Sequence, residues 1–459
     1  MKTTTIINRI LLCFIIVAMT FPVLPVDAGN VETVTFVVNT TEDLVDDMLN
    51  GECSVGVPSG GPCSLRAAFS EARNIMQMNQ NLIIQIPAGE YKLTLTEDTG
   101  DDRFFGDLDL VSLNAPTENW IYIQGEDALN TIINANHIDR AIEIGAHNNV
   151  TIRDLTIMNG ELHASEGKTK GAGILVENAG ELELIQVLIH NNRVYNDGNE
   201  NSYAHGGGIR AIATPLIIRY SSFSNNWAEY GSAVYFTGGE NIAMKIAGTS
   251  FHSNKTDESY TISSFGPMIM INSSVFSNDE GLGSLALFFD SYIQNSTIVN
   301  DQQGINITYH NKLYLRNSII LSKPDSNGEI GENCKAMNPA QVINNYFPEI
   351  NAEGGNVFSD NTCAPDADLK DIIVPWEEAG VAEMPTNQGI SSALTLLPHS
   401  PAINRRFEPC LITMKPWDDP SEVYLDFDQF IRRRKLFCDA GALIEENKTY
   451  IFYPLIERE

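Results

Sequence analysis

Seven stretches of this chain repeat one pattern, and that repeat limits the fold more than any other feature. With Ile157, Ile189, Phe223, Phe251, Phe276, Ile298 and Ile320 as reference positions, the spacings are 32, 34, 28, 25, 22 and 22 residues. Two residues after them stand Asn159, Asn191, Asn225, Ser253, Asn278, Asn300 and Ser322; two before stand Leu155, Val187, Ser221, Thr249, Ser274, Ser296 and Ser318. Seven and five residues before lie pairs such as Val150/Ile152, Leu182/Leu184, Leu216/Ile218, Met244/Ile246, Ile269/Ile271 and Leu313/Leu315. Apolar residues two apart, a break of three, then two apart again describe two short strands meeting at a corner. Recurrence at this period marks a solenoid.

A third strand usually precedes the pair, as Ile142/Ile144, Ile174/Val176, Ile209/Ala211, Val234/Phe236, Leu285/Leu287 and Ile305/Ile307. Three short strands per turn, each pairing with the next turn about 4.8 Å away, predict an all-β, single-stranded, right-handed parallel β-helix. The polar position two past the reference predicts stacked asparagine amides that satisfy backbone at one bend. These asparagines read as scaffold. An open coil end is an exposed sheet edge and calls for a cap. SLRAAFSEARNI (64–75) puts Leu65, Ala68, Phe69, Ala72 and Ile75 on one helical face behind Ser64 as N-cap, a plug before a first strand LIIQI at 82–86.

Lys2 and Arg9 precede the apolar run ILLCFIIVAMTF, and Val26-Asp27-Ala28 offers a small residue before Gly29, so 1–28 reads as a secretory signal peptide. The run is shorter than a membrane span, and no second apolar segment follows, so no transmembrane anchor is expected in the mature chain. The organisation expected is a cap with first strands at 29–118, rungs at 119–325, and C-terminal rungs with an irregular cap at 326–459. The six cysteines beyond the leader fall as near neighbours, Cys53 and Cys63, Cys334 and Cys363, Cys410 and Cys438, each pair bracketing an irregular segment. Fifteen connectivities are possible; no CxxC or His/Cys cluster points to zinc, and three neighbour disulfides are the reading.

CSLRAAFSEAR (63–73) resembles the CSLREA motif that names a family of exported bacterial β-helix proteins. The similarity continues through IPAGEYKL (86–93), GDLDL (106–110), the GGGI-type turn (206–209), HSPAIN (399–404) and CDAGAL (438–443). It departs at Ala67, where the family has glutamate, at Asn404, where it has aspartate, and at Asp428-Gln429-Phe430-Ile431, which replaces a DQRG turn. The resemblance implies a pectate-lyase-like superfold and secretion; it implies no reaction.

A net charge of −30 argues against nucleic-acid binding and against adhesion to anionic lipid. The densest acidic stretch, Glu97, Asp98, Asp101, Asp102, Asp107 and Asp109, offers oxygen ligands for calcium, although its spacing matches no EF-hand. No other cofactor is indicated. The early rungs are longest, and their extra residues leave just after the asparagine corner: ELHASEGKTK (161–170), RVYNDGNENSYAH (193–205) and NWAEY (226–230). Loops leaving one corner in successive rungs lie side by side, so His163, Lys168, Lys170, Tyr195, Tyr203, His205, Trp227 and Tyr230 are expected on one patch. Aromatic rings beside cations and amides suit a sugar; the alternative is that these rings pack the loops down. For β-elimination on a uronate, which needs a base and a charge neutraliser, Arg210, Lys245 and His205 are the candidates. Arg210 also reads as an ordinary outward strand residue. The expectation is an exported surface or extracellular protein that binds a glycan or other cell-surface polymer. The alternatives are a polysaccharide lyase on an acidic polysaccharide and a purely structural envelope protein.

Overall fold

Short strands recur because Ile, Leu, Val, Phe and Met alternate with other residues over a few positions, and because residues that accept a left-handed backbone break the chain at fixed points. The computed structural model describes residues 32–403 except 47, 77–79, 97–103, 112–119, 146–147, 164–168, 198–202, 258, 277, 279–280, 301, 309, 326, 337–347, 383–385, 389–390, 395 and 398. The leader (1–28), Asp101, Asp102, Lys168, Cys410, Cys438, Asn404 and the final turn therefore lie outside the described residues. Residues Thr33–Glu459 form a unit separate from Met1–Glu32, and it is this unit that coils.

The coil is an all-β parallel solenoid with three faces. The first face is a nine-stranded sheet running from Leu108–Leu110 through Ile142–Gly145, Ile174–Glu177, Ile209–Ile212, Val234–Thr237, Tyr260–Phe265, Gly283–Leu287 and Gln303–Ile307 to Cys334–Ala336, parallel throughout. The other two faces join in a 20-stranded sheet, because Asn149–Met158 and Glu181–His190 run unbroken through the corner between them. That corner is one residue in the left-handed region, at Asp154, Gln186, Tyr220, Gly248, Asn272, Asn295 and Asn317, with φ of 48–59°. Inside, like sits on like: Ile144, Val176, Ala211 and Phe236 stack in consecutive rungs, fully buried. Each large apolar side chain so buried is worth about 1.5–3 kcal/mol.

Two polar columns satisfy the corners. The amides of Val187, Ser221, Thr249, Ser273 and Ser296 each donate to the hydroxyl one rung on, at 3.1–3.4 Å, ending at Ser318. At the next corner Asn159, Asn191, Asn225 and Ser253 take the left-handed turn, with φ of 54–60°. The amide ladder belongs to their successors. The backbone N–H of Asn192, Asn226 and Asn254 donates to Oδ1 of Asn226, Asn254 and Asn278 at 3.1, 3.1 and 2.9 Å. Their Nδ2 groups donate to the same oxygens at 3.0, 3.0 and 3.2 Å. The expected ladder exists, one residue later than the sequence pattern placed it in the early rungs.

A second correction concerns register. Phe251 pairs with Val275, and Met244/Ile246 pair with Met268/Met270. Ile269, Ile271 and Phe276 thus face outward, and Ser273 takes the place expected of Ser274. A one-residue slip exchanges the faces of a strand, and here both faces are apolar. Phe276 is only 1 % exposed because a C-terminal strap covers it. Phe276, Val299, Ile319, Leu321 and Val357 on the outside of the last rungs pack against Ala379, Val381, Leu394, Leu396 and Ala402.

At the other end the helix Leu65–Met76 is present, with Leu65, Ala68, Phe69, Ala72 and Ile75 buried and Ser64 Oγ accepting the Ala67 amide at 3.0 Å. It is preceded by a strand missed in the sequence, Thr33–Val37, which pairs in parallel with Asn81–Ile86, so LIIQI is second in the sheet. Arg66 ties the cap together. It meets the buried Asp43 carboxylate at 2.6 and 3.1 Å and donates to the carbonyls of Asp107 and Gly106 at 3.0 and 2.9 Å. Disulfides Cys53–Cys63 and Cys334–Cys363 form as expected, one near each end of the described chain.

Candidate functional site

The long loops do lie side by side. Glu161–His163 pairs in parallel with Arg193–Tyr195, and the bridges Arg193–Trp227 and Trp227–Lys255 extend the ladder. The returning limbs form a second ladder, Lys170–His205–Tyr230. Leu162, Ala172, Val194, Ala204 and Ala228 fill the space between as a small separate core. The result is a flap built from the same rung repeat as the coil.

Its aromatic residues fall into two groups with different availability. His163, Tyr195 and Trp227 stack in sequence, with centroids 5.0 and 4.8 Å apart. These rings lie against one another and pack the flap. Asp197, 3.1 Å from His163 Nδ1, and Glu161 raise the His163 pKa through their hydrogen bonds. The second group is different. Tyr203 is 52 % exposed, stands edge-on to Tyr230 at 5.6 Å and lies 6.2 Å from His205, whose ring is 4.4 Å from that of Tyr235.

The glycine-rich turn sets this second group. Gly206 has φ 67°, and a Cβ at Gly207 would sit 2.5 Å from the Trp227 carbonyl, so only glycine lets the flap close onto the coil here. His205 and Arg210 flank the turn. Arg210 points outward but is only 8 % exposed: its guanidinium carbon lies 4.3 Å over the Tyr235 ring, and NH1 donates to Thr237 Oγ1 at 2.8 Å. The Nε of Arg210 is buried with no acceptor. Burial lowers its pKa to about 10. Burial, then the charges of Arg210 and Lys170, push His205 down to about 4, so the imidazole is neutral at pH 7. Lys170 lies 3.6 Å from Glu177.

Lys245 is not part of this group. It sits on a different face, between Ile217 and Ile269. Tyr235, Thr237 and Glu177, which complete the nook, were not singled out from the sequence; the signal was the strand register, with Tyr235 one rung on from Arg210 and Glu177 and Thr237 one rung to either side of Ile212. Of the calcium candidates, Asp107 and Asp109 join Glu143, with carboxylate oxygens within 4.8 Å of one another. Arg140 occupies this cluster, bonding Asp107 at 2.9 Å and also Glu143. Among the described residues this guanidinium is the cation that the acidic cluster holds, and Asp101 and Asp102 lie outside them. Burial, opposed by Arg140, raises Asp107 to about 7. No protein-family model, curated protein or solved structure matches this chain.

Proposed function

We propose that the chain is an exported, right-handed parallel β-helix, a relative of the CSLREA family, that binds glycans at the flap. The right hand is the one parallel crossovers favour. The family reading gains support from Arg66 and Gly106-Asp107, motif residues far apart in sequence that meet in one clamp. The observation that carries the binding reading is the half-exposed ring of Tyr203 beside the polar nook of His205, Tyr230 and Arg210. An apolar ring face next to a few fixed donors is what a pyranose needs. Titration calorimetry of the purified protein against a panel of neutral and acidic oligosaccharides tests this. Tyr203→Ala should weaken binding by about tenfold, the equivalent of ~1.4 kcal/mol; an unchanged isotherm rejects the site.

A lyase at the same place is the second reading, favoured by a neutral imidazole next to a guanidinium. Release of unsaturated uronate products, abolished in His205→Ala, would establish it, and a flat ultraviolet trace would leave binding alone.

A further inference from the structure

Lys170, His205 and Arg210 converge on the lower edge of the flap in a chain of net charge −30. Lys170 and His205 are cross-strand neighbours, and His205 and Arg210 both lie against the Tyr235 ring. Among the described residues Glu177 is the carboxylate that acts on them, 3.6 Å from Lys170 and on Arg210 only through its field. Among the described residues two cations meet one acid, and the donor Nε of Arg210, a residue only 8 % exposed, has no acceptor. An unpaired donor on a buried cation costs more than a neutral one. We infer that this nook is an anion subsite, and that it takes the carboxylate or sulfate of an acidic sugar whose ring lies on Tyr203.

This inference rests on the glycan reading and narrows it to acidic glycans. An anion there meets Arg210 and Lys170 directly. A bound anion would work against the burial and the Arg210 and Lys170 charges that together hold the His205 imidazole neutral, and so favour its protonation. The surrounding charge of −30 opposes a polyanion at long range but is screened beyond about 8 Å at physiological salt. A contact ion pair inside the nook is screened far less.

The test uses the purified protein with four probes: sodium sulfate, an oligogalacturonate, its methyl ester, and a sulfated oligosaccharide. The readouts are calorimetry and the titration of His205 followed by NMR on histidine-labelled protein. Sulfate should move the His205 pKa upward from about 4. The acidic oligosaccharide that fits should bind at least about tenfold more tightly than the neutral ester, and the carboxylate and sulfate arms identify which group is recognised. Lys170→Gln should weaken acidic binding several-fold and binding of the neutral ester less; Arg210→Gln should weaken acidic binding more strongly, with a thermal melt to check folding. Equal binding of ester and acid with an unmoved His205 overturns the anion subsite and leaves glycan binding standing. A His205 response to sulfate without binding of any oligosaccharide supports the subsite and overturns the glycan reading.

Discussion

Asn225 and Asn226 are adjacent, share a side chain, and should respond to alanine in opposite measure. Asn226 is fully buried, and its amide makes four bonds: Oδ1 accepts from Asn192 N and Nδ2, at 3.1 and 3.0 Å, and Nδ2 donates to the Ile189 carbonyl and to Asn254 Oδ1, at 2.9 and 3.0 Å. Asn226→Ala leaves the Asn192 amide and its side-chain N–H facing a void that no water enters cheaply. Each orphaned buried group costs about 1–3 kcal/mol, so the loss should be ~3–5 kcal/mol. Asn225 is exposed and contributes a tolerance for φ 54°, which alanine lacks by about 1 kcal/mol. Because a solenoid opens rung by rung, the assay is hydrogen exchange of peptides spanning 187–195, backed by guanidinium melts. Exchange at Asn192 should accelerate strongly in Asn226→Ala and little in Asn225→Ala. Equal effects, or a larger one at Asn225, would refute the claim that the second asparagine carries the ladder.

Other outcomes follow from the same geometry. Arg66→Met strands the Asp43 carboxylate in the cap and should cost about 3–5 kcal/mol; Asp43→Leu added to it should recover part of the loss, read by thermal melting. Asp107 has a folded pKa of about 7 against an ordinary 3.8, so the folded state holds the proton more tightly. Its contribution is complete below pH ~4 and is lost as pH rises through about 7, so the cap should melt later at pH 5 than at pH 8, and Asp107→Asn should flatten that difference. His205 runs the other way: with its pKa depressed to about 4 the unfolded state takes the proton first, so flap protection should fall between pH ~6.5 and 4 and stay level in His205→Gln. Replacing Cys334 and Cys363, which close 29 residues, with alanine should cost about 3–4 kcal/mol by chain entropy, measured by denaturant melts of the oxidised protein and the variant.

The rung period, the three strands per turn and the capping helix could be read from the sequence because inward positions repeat at fixed offsets. The reading failed where apolarity stopped marking the inside. Around Met268–Phe276 the outward residues are as apolar as the inward ones, since the C-terminal strap buries Phe276 from outside, and a packing partner a hundred residues away leaves no trace in the local pattern. Thr33–Val37 was missed for lack of a repeat before it. The side-by-side loops were legible from their common point of departure, but the split into a self-stacked column and an open nook was not. That depends on Tyr235 and Thr237, whose neighbours are set by register rather than by sequence distance. Arg210 shows the same limit: its outward direction was predictable, its burial under the flap was not.

Between residues 149 and 322 the rungs differ in length mostly at one place. The chain needs many residues to pass from Ile157 to Ile174 or from Ile189 to Ile209, and very few from Ile298 to Ile305, while the left-handed corner between the other two faces stays a single residue in every rung that shows it. Over these rungs one edge keeps its one-residue corner while another takes the insertions; nearer the N-terminus residues 126–130 widen the first edge, between Trp120–Gly125 and Thr131–Asn134. Segments added after the amide ladder leave the register of every strand intact and, by pairing with their neighbours, become an outer layer. Peptides grafted between Asn226 and Gly231 should thus be displayed in order along the axis, at the spacing of the strands beneath them, whereas a single residue added beside Tyr220 would shift the coil.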